Sequence, residues 1–192
     1  MLRAPRASDV PINGDLRLQR LAPRCRPAPI GDSVWFMHGD GDGWVFDAEG
    51  NRYWGRHGAA GLLLIADTDD GRVVLLQHRA FWSHQGGTWA LPGGARDSHE
   101  TAADTAVREA GEEAGIRYEH VNVREEVVTH STEVGWTYTT VIARADEPVA
   151  TQANGESAEL RWVPEGAVDD LRLHPAFAAA WPGLRERLAT LG

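Results

Sequence analysis

Glu109, Glu112 and Glu113 stand at positions i, i+3 and i+4 of the stretch REAGEEAGI, residues 108–116. On an α-helix this spacing projects three carboxylates from one face, within reach of a common point. Like charges so placed repel one another, and the arrangement costs stability unless something cationic sits among them. A hard divalent cation is the natural neutraliser, because Mg²⁺ and Mn²⁺ prefer carboxylate, carbonyl and water oxygens. Beside a phosphoanhydride, such a cation clamps the phosphates, neutralises charge building on the phosphoryl oxygens and acidifies a water for attack on phosphorus. Arg108 precedes Glu112 by one helical turn and can hold the geometry by pairing with a carboxylate, with Glu100 two turns upstream on the same side. Three glutamates on their own fit a solvated acidic helix face equally well.

The element that must carry these residues is a helix from about His99 to Ala114. Asp97 and Ser98 are its N-cap candidates, Glu100 is placed for a capping box, and Gly115 is the stop. Ala102, Ala103, Ala106, Val107 and Ala110 give it a face of small residues that can lie close against a sheet. Upstream, WVFDAEGNRYW reads as a hairpin turning at Glu49-Gly50-Asn51. AGLLLIA and RVVLLQH read as two buried strands joined by DTDDG, and LPGG ends a short extended piece. Downstream, NVREEVVTH and WTYTTVIAR form an antiparallel pair, AELRWVP is a further strand, and PAFAAAWPGLRERL is a terminal helix kinked or split at Pro182. There is no internal repeat, and a mixed sheet sandwiched between helices is the expected α/β architecture.

A chain of 192 residues with 42% hydrophobic content supports one core, so a single domain with an appendage is expected. Residues 1–38 hold five prolines and six arginines with little periodicity and are expected to be a poorly structured N-terminal extension, leaving 39–192 as the domain. Met37 marks the change of character and is a candidate start; the competing reading is an arm that packs through Val34, Trp35 and Phe36. No apolar run long enough to cross a bilayer and no secretory signal is evident, and the lone Cys25 suits a reducing cytoplasm. The net charge of −9 argues against gripping a nucleic-acid polymer. Every one of the cationic residues is arginine, which excludes a catalytic lysine and leaves arginine, histidine, backbone N–H groups or a metal for phosphate contacts.

From Gly94 the chain reads GARDSHETAADTAVREAGEEAGI, which matches the Nudix box G-x5-E-x7-R-E-U-x-E-E-x-G-U at every fixed position. Residues from about 58 to 188 resemble a complete Nudix domain, and the stretch from Tyr53 through Ile116 is similar to the MutT-like Nudix proteins of actinobacteria. The resemblance implies a Nudix α/β/α sandwich with a mixed β-sheet, and an enzyme that hydrolyses a nucleoside diphosphate linked to another moiety. It implies that Glu109, Glu112 and Glu113, with the carbonyl of Gly93, hold Mg²⁺ (Mn²⁺ as substitute), and that Glu100 and Arg108 support them.

Outside the box the resemblance implies less. Arg79 lies where MutT-like proteins have a nucleotide-contacting arginine, and a phosphate role is expected of it, against a surface ion pair. Glu156 falls near the loop that carries an additional metal or base-type glutamate, with Glu159 as its competitor. His174 lies near the position of a base-reading side chain, although capping the last helix is an equally physical use. Trp82, Trp89, Trp136 and Tyr138 offer π-faces for a base, against core packing as the alternative. His78, His84 and His130 show no close ligand spacing and carry no assigned role. The box is followed neither by the proline of the ADP-ribose group nor by the SQPWPFPxS array of the NADH group.

MutT-like similarity therefore implies a nucleoside triphosphate cleaved to monophosphate and pyrophosphate, with 8-oxo-dGTP or 8-oxo-GTP leading. A broad-specificity hydrolase of ADP-ribose, dinucleoside polyphosphates or NDP-sugars, and a non-catalytic nucleotide-sensing module, are the alternatives.

Overall fold

A computed structural model describes residues 39–83 and 85–191. The extension expected over 1–38, with Met37 and Cys25, and the side chain of His84 lie outside the described residues.

The described residues open with a hairpin, β1 (Trp44–Phe46) and β2 (Arg52–Trp54), turning where the Gly50 signal predicts. Two long strands follow, β3 (Ala59–Thr68) and β4 (Gly71–Arg79), then the short β5 (Trp89–Ala90) and β6 (Gly93–Ala95). Helix α1 (Ala102–Ala114) leads to the antiparallel pair β7 (Asn122–Ser131) and β8 (Thr137–Arg144), then β9 (Ser157–Pro164) and helix α2 (Pro175–Thr190).

The main sheet runs β5-β4-β3-β8-β7, with β6 added to β3 and β9 to β4. It is mixed because β3 lies parallel to β8 while its other pairings are antiparallel. Side chains alternate across a strand, so β3 is apolar on both faces and feeds two cores. Leu62 and Leu64 pack toward Ala106, Ala110, Ala114 and Ile116 of the α1 segment. Leu63 and Ile65 pack toward Phe177, Trp181, Leu184 and Leu188 of α2. The result is the expected sandwich: helix, mixed sheet, helix. Among the described residues no helix is long and apolar enough to cross a membrane.

Two local readings need correction. The α1 cap is Thr101, not Asp97 or Ser98, and the capping box is completed by Asp104, not Glu100. The earlier candidates are engaged elsewhere: Asp97 accepts from the Gly41 N–H at 2.8 Å, and Glu100 pairs with Arg108. The terminal helix is not split at Pro182 but runs through it as one element. A proline there removes a single backbone donor, and the buried Trp181, Leu184 and Leu188 hold both sides of it against the sheet.

Candidate active site

Gly115 ends α1 in the left-handed conformation (φ 68°, ψ 19°), with Ile116 N–H returning to the Ala110 carbonyl and the Ile116 side chain buried. This fixes the rotation of the last turns. With Ala106, Ala110 and Ala114 fully buried against the sheet, Glu109 and Glu113 are directed toward β6. A Glu113 carboxylate oxygen accepts from the Gly93 N–H at 2.8 Å. The Glu109 carboxylate occupies the space that a Cβ on Gly94 would fill.

Arg108 ties this cluster together. Its guanidinium donates through Nε at 2.7 Å and through a second nitrogen at 3.0 Å to both oxygens of Glu100. It also donates to Glu109 at 2.7 Å and to the Ala95 carbonyl at 3.0 Å, and it lies 3.5 Å from Glu112. Glu100 in turn accepts from the Thr105 hydroxyl at 2.9 Å. These bonds, led by that from Arg108, hold the Glu100 carboxyl down at about 2. Its acidic neighbours push the Arg108 pKa further up.

Glu109 and Glu113 behave oppositely. Burial pushes Glu109 up to about 6, outweighing the opposing pull of Arg108, and pushes Glu113 up to about 7 against the hydrogen bond from Gly93. Glu112 also raises Glu109, Glu109 raises Glu113, and Glu156 raises both. Glu156, although exposed, therefore shares their electrostatic neighbourhood, whereas the half-buried Glu159 is bonded to Arg161 at 2.6 Å. Adding a cation to such a buried, anionic oxygen cluster reverses the unfavourable term.

The donor set of three carboxylates and the Gly93 carbonyl fits a hard divalent ion. Convergence differs from the sequence expectation: Glu112 is turned outward with its side chain 61% exposed, Arg108 lies between Glu109 and Glu112, and Glu113 is held apart from them by the Gly93 N–H. Among the described residues, the one group of three metal-capable side chains whose ligand atoms lie within 4.8 Å of one another is Asp40, Asp97 and His99. Within that group Asp40 accepts from the Ser98 N–H and Asp97 from the Gly41 N–H, each at 2.8 Å.

Beside Gly93 and Gly94 opens a cavity of about 530 Å³. Its walls include Trp44, Tyr53 and Trp54 of the hairpin, Trp136, Tyr138, and Phe177 of α2, with Arg79 and His174 also lining it. Tyr53 stacks on Trp136 with ring centres 5.0 Å apart. His174 caps α2 through Nδ1, which accepts from the Ala176 N–H at 3.2 Å. Trp89 is buried against His78, and Trp82 is exposed, so neither belongs to this wall. The contribution of the hairpin was not foreseen from sequence. The available signal was the four aromatic residues within WVFDAEGNRYW, two of which, Trp44 and Trp54, lie directly opposite.

Gly94→Ala is expected to push the Glu109 carboxylate out of place and lower kcat by about 100-fold with little change in melting temperature, as steady-state kinetics and thermal unfolding will read.

Comparison with known proteins adds independent findings. The family model described as NUDIX domain matches residues 55–184. A Mycobacterium tuberculosis protein provisionally named 8-oxo-dGTP diphosphatase 3 is 59% identical over 174 residues, covering 88% of this chain and 78% of its own. A crystal structure of a Nudix hydrolase from M. smegmatis, RenU, is 62% identical with a TM-score of 0.77, over 79% of this chain and 98% of that one. The NUDIX domain of Shewanella oneidensis NrtR, solved with ADP ribose, shares the fold at 24% identity and a TM-score of 0.53, over 68% of this chain and 86% of that one.

Proposed function

This chain belongs to the Nudix hydrolase family, and from that premise we propose that it converts a nucleoside triphosphate and water into the monophosphate and pyrophosphate. Divalent-metal dependence is general in the family; the proposed ion is Mg²⁺, with Mn²⁺ as substitute. The proposed substrates are 8-oxo-dGTP and 8-oxo-GTP, supported by the name carried by the M. tuberculosis relative. The reading includes residues 39–192 as the hydrolase domain, the cytoplasm as its location and a small nucleotide as its partner.

The observation that carries the reading is the junction of two unlike environments: a partly buried carboxylate cluster and, against it, a cavity with an aromatic wall. A nucleoside polyphosphate has the matching halves, and an aromatic wall suits a base because every base presents a π-face. Glu109, Glu112, Glu113 and the Gly93 carbonyl would hold the ion. When bound, the ion screens the phosphates and acidifies water. Arg108 and Glu100 keep the helix glutamates in place, Glu156 adds a further carboxylate, and Arg79 and His174 face the substrate from the cavity side. Hydrolysis breaks one phosphoanhydride bond and forms one phosphorus–oxygen bond from water, releasing a proton.

The test is a steady-state panel with Mg²⁺ and then Mn²⁺, comparing 8-oxo-dGTP, dGTP, 8-oxo-GTP, ADP-ribose, NADH and a dinucleoside polyphosphate, with products resolved by chromatography. The expected result is a kcat/KM for 8-oxo-dGTP at least about 10-fold above that for dGTP, with monophosphate and pyrophosphate as products. Preference for ADP-ribose, NADH or a dinucleoside polyphosphate would overturn the substrate assignment.

A further inference from the structure

Tyr138 stands at the seam between the aromatic cavity and the carboxylate cluster. It lines the cavity together with Gly93 and Gly94, and the charges of Glu113, Arg79 and Glu109 all act on its hydroxyl. Strand pairing sets this position. In the parallel register of β3 and β8, Ala59 faces Tyr138, which brings the phenol alongside Gly61, and Gly61 pairs with Gly93 across β6.

Gly61 makes the room. A Cβ there would overlap the Tyr138 hydroxyl oxygen and lie 3.1 Å from the ring carbon that bears it. Glycine inside a strand weakens it and often marks a close approach, and at position 61 the nearest approach is that of the Tyr138 hydroxyl, ahead of the Pro92 carbonyl. Yet the hydroxyl has no hydrogen-bond partner among the described residues, while the Tyr138 carbonyl accepts from Thr129. Tyr138 is half-buried and lines the cavity, so its hydroxyl is placed to donate to a molecule bound there. Burial, reinforced by Glu113, pushes its pKa up, so it stays a donor throughout the working range.

We propose that the Tyr138 hydroxyl contacts substrate, donating a hydrogen bond to a non-bridging oxygen of the phosphate nearest the nucleoside. This rests on the reading that phosphates lie against the carboxylate cluster and the base in the cavity. The phosphate adjoining the nucleoside then falls at the seam, where an anionic oxygen meets an unpartnered O–H. The bond is charge-assisted, and the contact fixes the register of the polyphosphate chain along the site.

The test is Tyr138→Phe in the full chain with Mg²⁺, on whichever nucleotide the wild type turns over best, together with calorimetric binding of guanosine 5′-monophosphate and of guanosine. The expected result is a fall of about 10- to 100-fold in kcat/KM, a similar direction of change in monophosphate binding, no change in guanosine binding, and an unchanged or higher melting temperature. A purely structural hydroxyl predicts the reverse pattern, a lower melting temperature with kinetics intact. Turnover by the Phe variant within about twofold of wild type, or equal monophosphate binding, overturns the role of Tyr138 alone. A wild type that neither hydrolyses any nucleotide nor binds the monophosphate overturns the nucleotide reading with it.

Discussion

Glu113→Gln is expected to lower kcat/KM by at least about 1,000-fold while leaving the fold intact and raising the melting temperature of the metal-free protein at about pH 8. The loss of activity follows from replacing a charged oxygen ligand by a neutral amide of the same shape. The gain in stability follows from burial. Glu113 is 4% exposed, and its ionised form is so disfavoured that its pKa rises from 4.5 to about 7. The carboxyl is raised on folding, so its contribution to stability is fully present below pH 4.5 and is lost as pH climbs through about 7. For a shift of this size the swing is on the order of 3 kcal/mol.

Metal-free wild type should therefore melt at progressively lower temperature from about pH 5 to about pH 8, and part of that slope should vanish in the Gln variant. Added Mg²⁺ should raise the wild-type melting temperature at the alkaline end, because the ion binds the ionised form, and should do so much less in the variant. Thermal unfolding with and without chelator reads all of this. Turnover unchanged in Glu113→Gln would remove the carboxylate from the metal site.

Arg108→Ala is expected to lower kcat by about 100-fold and to destabilise the protein by about 2 kcal/mol. The stability figure is set below the roughly 3–5 kcal/mol of a fully buried pair because 31% of the Arg108 side chain is exposed, while its partner Glu100 is 9% exposed. Removing the guanidinium strands Glu100, loosens the tie from Glu109 to the Ala95 carbonyl, and leaves Glu109 and Glu112 to repel each other. Arg108→Lys should not rescue it, since an ammonium cannot reproduce the fork to both oxygens of Glu100.

The sign with pH is opposite to that of Glu113. Glu100 is lowered from 4.5 to about 2, so its stabilisation is present above pH 4.5 and is lost as pH falls through about 2. Urea unfolding should show the gap between wild type and Arg108→Ala narrowing over that window. A gap that stays constant would mean the pair is not the source of the stability difference.

How much of this was legible beforehand depended on whether the signal was local. The spacing of Glu109, Glu112 and Glu113 needs only the helical period, and Gly115 needs only its own backbone freedom, so the helix carrying the carboxylates and its end were readable. The start of α1 was not, because Asp97, Ser98 and Thr101 are all competent caps. The choice among them was made by the Gly41 N–H, far away in sequence, which occupies Asp97, while Arg108 occupies Glu100. The same limit applied to Pro182, where burial of Trp181 and Leu184 kept α2 continuous.

By itself the sequence determined the order of the elements, the sandwich class and the placement of three glutamates on one short helix. Those are consequences of hydrophobic period and of residues within a turn or two of each other. Only the tertiary structure decided which glutamates are buried, that Glu156 and not Glu159 shares their electrostatic field, and that the β1–β2 hairpin supplies an aromatic wall. It alone also set the Tyr138 hydroxyl beside Gly61 at the edge of the carboxylates. Each of these depends on strand register and on packing between residues distant along the chain, and no spacing within one segment encodes such a contact.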